Sequence, residues 1–443
     1  MAKTNVPIKL PPIYTHEGAP AKRTNAEMQL RRSVLACMLW EDSYYQTGET
    51  IATRIADLVK DVHPSIVANI AVQAREDYKL RHVPLWIVRE MARLPKHKAY
   101  VANTLARVIQ RADELSEFVS LYWLTKKQPL SAQVKKGLAL AFTKFDAYSL
   151  QKYNRDNAVK LRDVLFLCHA KPKDDEQAQL WKQLIDGTLP IPDDWETELS
   201  AGKDKKATWE RLMTERKLGG LALLRNLRNM KEACVDEQII FTALENMKVE
   251  RILPFRFITA ARYAPQWEAQ IETAMLKCLQ GRSKLPGKTI LLVDVSGSMT
   301  NAISAKSDLQ RYDAANGLAI LARELCEDVD VYSFSNQLVY IPARHGFALR
   351  DAITASQEHS GTWLGKAVTA IDGHEQYDRI IVFTDEQSHD IVPAPKNKGY
   401  MINVAAYQNG VGYGSWCKID GFSEAVFDYI IESEKCDMVD KEQ

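Results

Sequence analysis

The feature that most constrains this chain is a change of hydrophobic period at Gln280-Gly-Arg-Ser-Lys-Leu-Pro-Gly287. Before it, apolar residues recur every three to four positions. Ile51, Ile55, Leu58, Val59 and Val62 form one such stripe, and comparable stripes run through Ile66 to Val72, Trp86 to Met91, Val101 to Val108, Phe118 to Trp123 and Val134 to Phe142. That spacing predicts successive amphipathic helices, each burying one face on its neighbours. A run of short helices over most of 25–283 predicts an α-solenoid, in which each helix pair packs only on the next. Beyond the Gly and Pro residues the pattern becomes short continuous apolar runs at Thr289 to Val293, Val329 to Phe334, Leu338 to Ile341, Ile380 to Phe383 and Ile402 to Ala405. Helical segments separate them near Asp308 to Glu327, Leu364 to Ile371 and Ser423 to Glu432. Strands alternating with helices predict a doubly wound α/β sheet.

The chain therefore divides into an extended, proline-bearing arm (1–24, with Pro7, Pro11, Pro12 and Pro20), a helical-repeat domain (25–283), a linker (284–288), an α/β domain (289–435) and a polar tail (436–443). The polar stretch Lys173 to Lys206 is expected to project, with a turn at Pro190, Pro192, Asp193 and Asp194. With 443 residues, 46% of them hydrophobic, the chain can bury more than one core. No apolar run approaches the about 18 residues of a membrane span. Prolines occupy Met1 to Ala21 where a signal peptide needs its apolar stretch, so a cytoplasmic protein without membrane partner is expected. Seven scattered cysteines (37, 168, 234, 278, 326, 417 and 436) contain no C-x-x-C pair and predict neither a disulfide framework nor a zinc site.

The net charge of +1 conceals an asymmetry. Residues 1–285 carry 45 Lys and Arg against 34 Asp and Glu, a balance of +11, whereas 286–443 carry 13 against 23, a balance of −10. The basic part is the better phosphate binder.

Within the α/β part, Thr289-Ile-Leu-Leu-Val-Asp-Val-Ser-Gly-Ser298 runs a buried strand into Asp294, Ser296 and Ser298, a D-x-S-x-S spacing. Ligands of open α/β sheets bind beyond the carboxyl ends of such strands. Three short oxygen-bearing side chains there serve either as a helix cap or as ligands of a hard cation. Two later features favour the cation: Thr362 in the small-residue turn Ser360-Gly-Thr-Trp, and Asp385 closing the strand Arg379-Ile-Ile-Val-Phe-Thr384. Oxygen donors suit Mg²⁺ first, with Mn²⁺ or Ca²⁺ as alternatives. Neither G-x-G-x-x-G after the first strand nor a Walker A lysine is present. Glu386 and Asp390 lie past the strand end, where loop solvation is their simplest role.

In this order, the D-x-S-x-S, Thr and Asp elements resemble the metal-ion-dependent adhesion site of von Willebrand factor A domains. An open position on such a metal captures a carboxylate from a partner, as the resemblance implies. The helical part carries Leu150-Gln-Lys-Tyr153, Arg162-Asp-Val-Leu-Phe-Leu-Cys-His-Ala-Lys-Pro172, Leu223-Leu-Arg-Asn-Leu227 and Arg251-Ile-Leu-Pro-Phe255. These strings resemble the TROVE module of the Ro ribonucleoprotein family, the Ro autoantigen and its bacterial and phage relatives, over about residues 25–435. The resemblance implies a ring of HEAT-like helical repeats sealed by the A domain, a non-enzyme. It further implies structured small noncoding RNA of the Y type on the outer face and the single-stranded end of a misfolded RNA in the central hole, for RNA quality control or processing. An exoribonuclease or another protein with an acidic residue would meet the metal.

Lys152 and His169 match a lysine and a histidine among the family's RNA contacts. The position of its arginine is filled by Asp156, with Arg155 one residue earlier. Independently of the resemblance, Lys152, Arg155, Lys160, Arg162 and Lys171 form a cationic cluster suited to phosphate, and His169 suits base stacking or phosphate donation. Asp156, Asp163, Asp174 and Asp175 are close enough in sequence to neutralise it. Arg225, with Arg228, Arg256 and Arg262, is a candidate for the inner wall of a ring. Two other readings are a metal-dependent protein-interaction adaptor and a metal-dependent ribonuclease.

Overall fold

The computed structural model describes residues 11–21, 24–35, 47–191, 193, 195–303, 308–405, 407–412 and 414–439. Pro7, Cys37, Pro192 and Asp194 lie outside the described residues, as do most of the expected arm before Pro11 and the end of the expected tail. Residues 436–439 continue the last helix, Ala425–Val439.

Among the described residues, sixteen α-helices run from Ala26–Leu35 to Glu268–Leu276, and the apolar stripes account for their positions. Along the first part of the arc, helices bury their stripes on the helix two places along: Pro64–Glu76 packs on Lys98–Val108, Lys98–Val108 on Ala132–Phe142, and Ala132–Phe142 on Leu161–Cys168. The pattern resumes as Gly220–Glu232 on Phe255–Tyr263 and Glu237–Asn246 on Glu268–Leu276, which is HEAT-like stacking. Gly137 makes the tightest of these approaches possible, since a Cβ there would stand 2.9 Å from both the Ala102 carbonyl oxygen and the Leu105 Cβ. The stretch expected to project instead folds back: Trp195 stacks on buried Trp209 at 5.6 Å, and Arg211 pairs with Asp193 at 2.7 Å.

The second part is a six-stranded sheet of β1 (Leu285–Asp294), β2 (Cys326–Phe334), β3 (Leu338–Ile341), β4 (Arg379–Thr384), β5 (Lys398–Asn403) and β6 (Cys417–Asp420), in the order β3-β2-β1-β4-β5-β6. All pairs are parallel except β2 with β3. Alternation along β1 sends Leu291 and Val293 to one face and Ile290 and Leu292 to the other. The second face is covered by Leu364, Val368 and Ile371. The first meets the helix Arg311–Leu325, which also packs on Phe255–Tyr263 and so joins the sheet to the helical part. The sequence reading omitted β6 and the helix Gly346–Thr354. β6 is four residues long, too short to register as a period.

Both ends of the helical arc close on the α/β domain. At the corner after β6, Gly421 (φ +138°) lies against the Tyr78 ring, Phe422 packs edge-on to Phe255 at 5.6 Å, and Ser423 Oγ donates to the Asp77 carbonyl at 2.8 Å. Three successive residues thus touch the turn after the helix Pro64–Glu76, near the beginning of the arc, and the helix Phe255–Tyr263, near its end. From the first helix, fully buried Arg32 donates to Glu386 Oε1 at 2.9 Å and to the carbonyls of Tyr407 and Asn409 at 2.5 and 2.8 Å. At the other end Arg262 pairs with Asp313 at 2.6 Å and Arg282 with Asp428 at 2.6 Å.

Glu386 is therefore not a solvated loop residue. It is wholly buried, and its carboxylate is met by Arg32, by Lys418 at 3.3 Å and by the Gly412 amide at 2.8 Å. Burial raises its pKa, but the two cations outweigh burial and hold it below the ordinary range. Removing one member of such a cluster strands buried charge, at a cost of about 3–5 kcal/mol. Glu386→Ala is expected to lower unfolding free energy by about that amount in urea titration, whereas Asp57→Ala, in the exposed Lys60 pair, leaves the transition in place. Coincident curves for Glu386→Ala and the parent would contradict the closure.

Candidate metal centre and cationic surfaces

β1 lies between β2 and β4, where the sheet reverses direction of build, and the crevice beyond its carboxyl end is the binding position such sheets offer. Asp294 ends β1 there and is fully buried. Its Oδ1 accepts from the Ser296 amide at 2.9 Å and its Oδ2 from Thr384 Oγ1 at 2.6 Å. Ser298 Oγ donates to Asp385 Oδ2 at 2.6 Å and stands 3.3 Å from Ser296 Oγ. Four of the five predicted ligands thus form one hydrogen-bonded group. The fifth, Thr362, is on the loop that Gly297 brings alongside by donating to the Ser360 carbonyl at 2.8 Å. Thr362 is buried and held through its backbone by His389, whose ring stacks on Trp363 at 5.4 Å.

Burial and then the neighbouring Asp385 carboxylate push the Asp294 pKa up from its ordinary value. Asp385 is compensated by a residue the sequence reading missed: buried Arg311, whose Nη1 lies 3.2 Å from Asp385 Oδ2. Arg311 opens the helix Arg311–Leu325, far enough from the D-x-S-x-S turn that spacing gives no sign of it. Among the described residues no three His, Cys, Asp or Glu side chains are grouped to hold a metal ion. The donor set is two carboxylates and three hydroxyls, which fits a hard cation retaining several waters and does not fit a soft one. Asp390 also serves the fold, since its carboxylate oxygens accept from the Gly365 and Lys366 amides at 2.8 Å each and cap the helix Leu364–His374.

The cationic residues are distributed among several settings. Lys152 donates to Tyr148 Oη at 3.2 Å, and Tyr148 borders a groove of about 910 Å³ with Arg216, Lys217 and Lys248. Arg155 and Lys171 are exposed. Lys160 pairs with Asp156 at 2.5 Å, and Arg162 lies 3.9 Å from Asp163, so two of the acids do approach the cluster. His169 is exposed in a left-handed helix cap (φ 52°), with Nε2 3.5 Å from Lys135 Nζ. Phe166, 59% exposed, lies four residues after Arg162 and three before His169, hence on their face of the helix Leu161–Cys168. That spacing is present in the sequence, but an apolar residue in a helix reads first as core. Arg225 belongs elsewhere, in a separate cavity with Arg228 and Arg256.

Residues 187–311 match the TROVE domain. Telomerase protein component 1 of Mus musculus is 33% identical over 91 residues, and that of Rattus norvegicus 32% over 91. These stretches cover 19% of this chain and only 4% of either relative. The crystal structure of the Deinococcus radiodurans Ro (RSR) protein superposes with a TM-score of 0.59 over 90% of this chain and 97% of that one, at 18% identity, a likeness of fold.

Thr384 supplies a side-chain donor to Asp294 Oδ2. Thr384→Val removes it at constant shape and is expected to cost about 1–3 kcal/mol, read by chemical denaturation, with Thr384→Ser near the parent. Equal stability of all three would show that this bond does not hold Asp294.

Proposed function

Because this chain carries a TROVE domain and has the fold of a Ro (RSR) protein, we propose that it is the RNA-binding component of a ribonucleoprotein. The observation that carries the reading is the division of charge. Residues 1–285, the arm with the helical arc, hold the +11 balance and residues 286–443, the α/β domain with its tail, the −10 balance, so a polyanion has one part to bind and one to avoid. Its partners are small structured noncoding RNA of the Y type, on the surface bearing Lys152, Arg155, Lys160, Arg162, His169 and Lys171, and the single-stranded ends of misfolded RNA. The protein acts as a scaffold in RNA quality control or processing in the cytoplasm, and no catalytic step is assigned to it.

Asp294, Ser296, Ser298, Thr362 and Asp385 would hold a divalent cation, Mg²⁺ first and Mn²⁺ or Ca²⁺ otherwise. When bound, the ion supplies a positive charge that attracts an acidic residue of a partner such as an exoribonuclease. Arg311 shares Asp385 with it, so guanidinium and metal compete for one carboxylate oxygen. A second reading, a metal-dependent protein-interaction adaptor, is favoured by the apolar part of the 910 Å³ groove, where Met213, Leu218, Leu223, Ile239 and Met247 suit a peptide.

Three measurements separate these readings. Affinity for a structured RNA is expected to fall steeply between about 50 and 200 mM salt, and Lys152→Ala with His169→Ala to weaken it roughly tenfold. Flat salt dependence and unchanged affinity would remove the RNA assignment and leave the adaptor. Calorimetry is expected to detect Mg²⁺ binding that Asp294→Ala abolishes; Mg²⁺ binding that persists in this variant would place the metal elsewhere.

A further inference from the structure

A cavity of about 480 Å³ lies between the helices Gly220–Glu232 and Phe255–Tyr263, closed on one side by Asp308 from the α/β domain. That volume is within the about 300–1,000 Å³ of small-ligand sites. Its lining includes three guanidinium groups, Arg225, Arg228 and Arg256, and a single acid, Asp308. Arg225 and Arg228 are three apart on one helix face; Arg256 and Tyr263 are seven apart on the other helix, with small Thr259 and Ala260 between them. Arg225 is exposed and has no ion pair among the described residues, while Arg228 makes an exposed i,i+4 contact to Glu232 at 3.7 Å. Asp308 is occupied: it accepts from Tyr263 Oη and lies 4.0 Å from Arg262. Tyr263 remains 44% exposed, with Arg228 5.6 Å from its ring centre.

Three cations against one carboxylate leave the lining at +2. An internal phosphodiester carries one negative charge; a terminal phosphomonoester carries about 1.5 to 2 at neutral pH and offers three acceptor oxygens. Guanidinium groups bind such oxygens through paired N–H donors, which a lysine cannot do. The exposed Tyr263 ring adds a stacking surface for the adjoining base. We propose that this cavity is a binding site for a terminal phosphomonoester on a single-stranded RNA end, with Arg225, Arg228 and Arg256 on the phosphate and Tyr263 on the last base. The proposal rests on the RNA-binding reading above and gives it a chemical preference: an end left phosphorylated by cleavage is held in preference to a hydroxyl end.

The test uses the full chain and internally labelled oligouridylates ending in a 3′-phosphate, a 5′-phosphate or hydroxyls only, with free uridine monophosphate as competitor, followed by fluorescence anisotropy. One phosphorylated form is expected to bind at least tenfold more tightly than the hydroxyl form, and which one binds identifies the end recognised. Displacement by the free nucleotide is expected if a single unit fills the cavity. Arg225→Gln with Arg256→Gln is expected to erase the preference while a structured RNA still binds within twofold of the parent, which also reports that the variant is folded. Tyr263→Phe is expected to keep the preference, and Tyr263→Ala to weaken binding of every end. Equal affinity for all ends, or a preference that survives in the double Gln variant, overturns this site and leaves RNA binding standing. Failure of every oligonucleotide and of the structured RNA to bind overturns both.

Discussion

The buried contact between Arg32 and Glu386 is the constraint on which the rest of the molecule depends. A solenoid of paired helices has two open ends, each with an apolar face that no next repeat covers. Here both ends are covered by the same α/β domain, through Arg32, Asp77 and Tyr78 on one side and Phe255, Arg262 and Arg282 on the other. Arg32 is able to serve because all its nitrogens find acceptors, two of them backbone carbonyls beside Glu386. Glu386 is able to serve because Lys418 and the Gly412 amide complete its shell. Asp385, immediately before Glu386, belongs to the candidate metal centre. The segment that closes the arc and the segment that would bind an ion are therefore continuous, and neither can shift without the other.

The same economy governs the centre itself. Two buried carboxylates in one crevice repel each other, and burial adds to the cost of charging them. Asp294 is stabilised by Thr384 and the Ser296 amide, and Asp385 by Ser298 and Arg311. A guanidinium in this position holds the loops together with a fixed charge, and a metal would have to bind beside it.

Much of this is legible in the sequence, for physical reasons that differ between the parts. Helical stripes and apolar strands announce themselves because burial repeats with the period of the backbone, so Ile51 to Val62 and Ile290 to Val293 each declare their kind of element. The D-x-S-x-S turn is legible because its three residues are adjacent. Contacts between distant segments are not legible: Glu386 reads as a loop acid until Arg32 arrives from 354 residues away, and Arg311 reads as an ordinary first-turn residue until Asp385 is beside it. Asp390 misleads for the same reason, since the helix it caps precedes it by 25 residues. β6 escapes because four residues carry too little pattern.

What the fold adds to the charge count is a place for it. The basic helices form a closed arc and the acidic sheet domain is its clasp, and we propose that RNA lies on the helical part. Photo-crosslinking the full chain to RNA and mapping the attached peptides by mass spectrometry tests that claim most directly. Crosslinks are expected within 25–283, concentrated on peptides containing Lys152, Phe166, His169 and Tyr263. Crosslinks confined to 289–435, or none under conditions where a control RNA-binding protein is labelled, would contradict it.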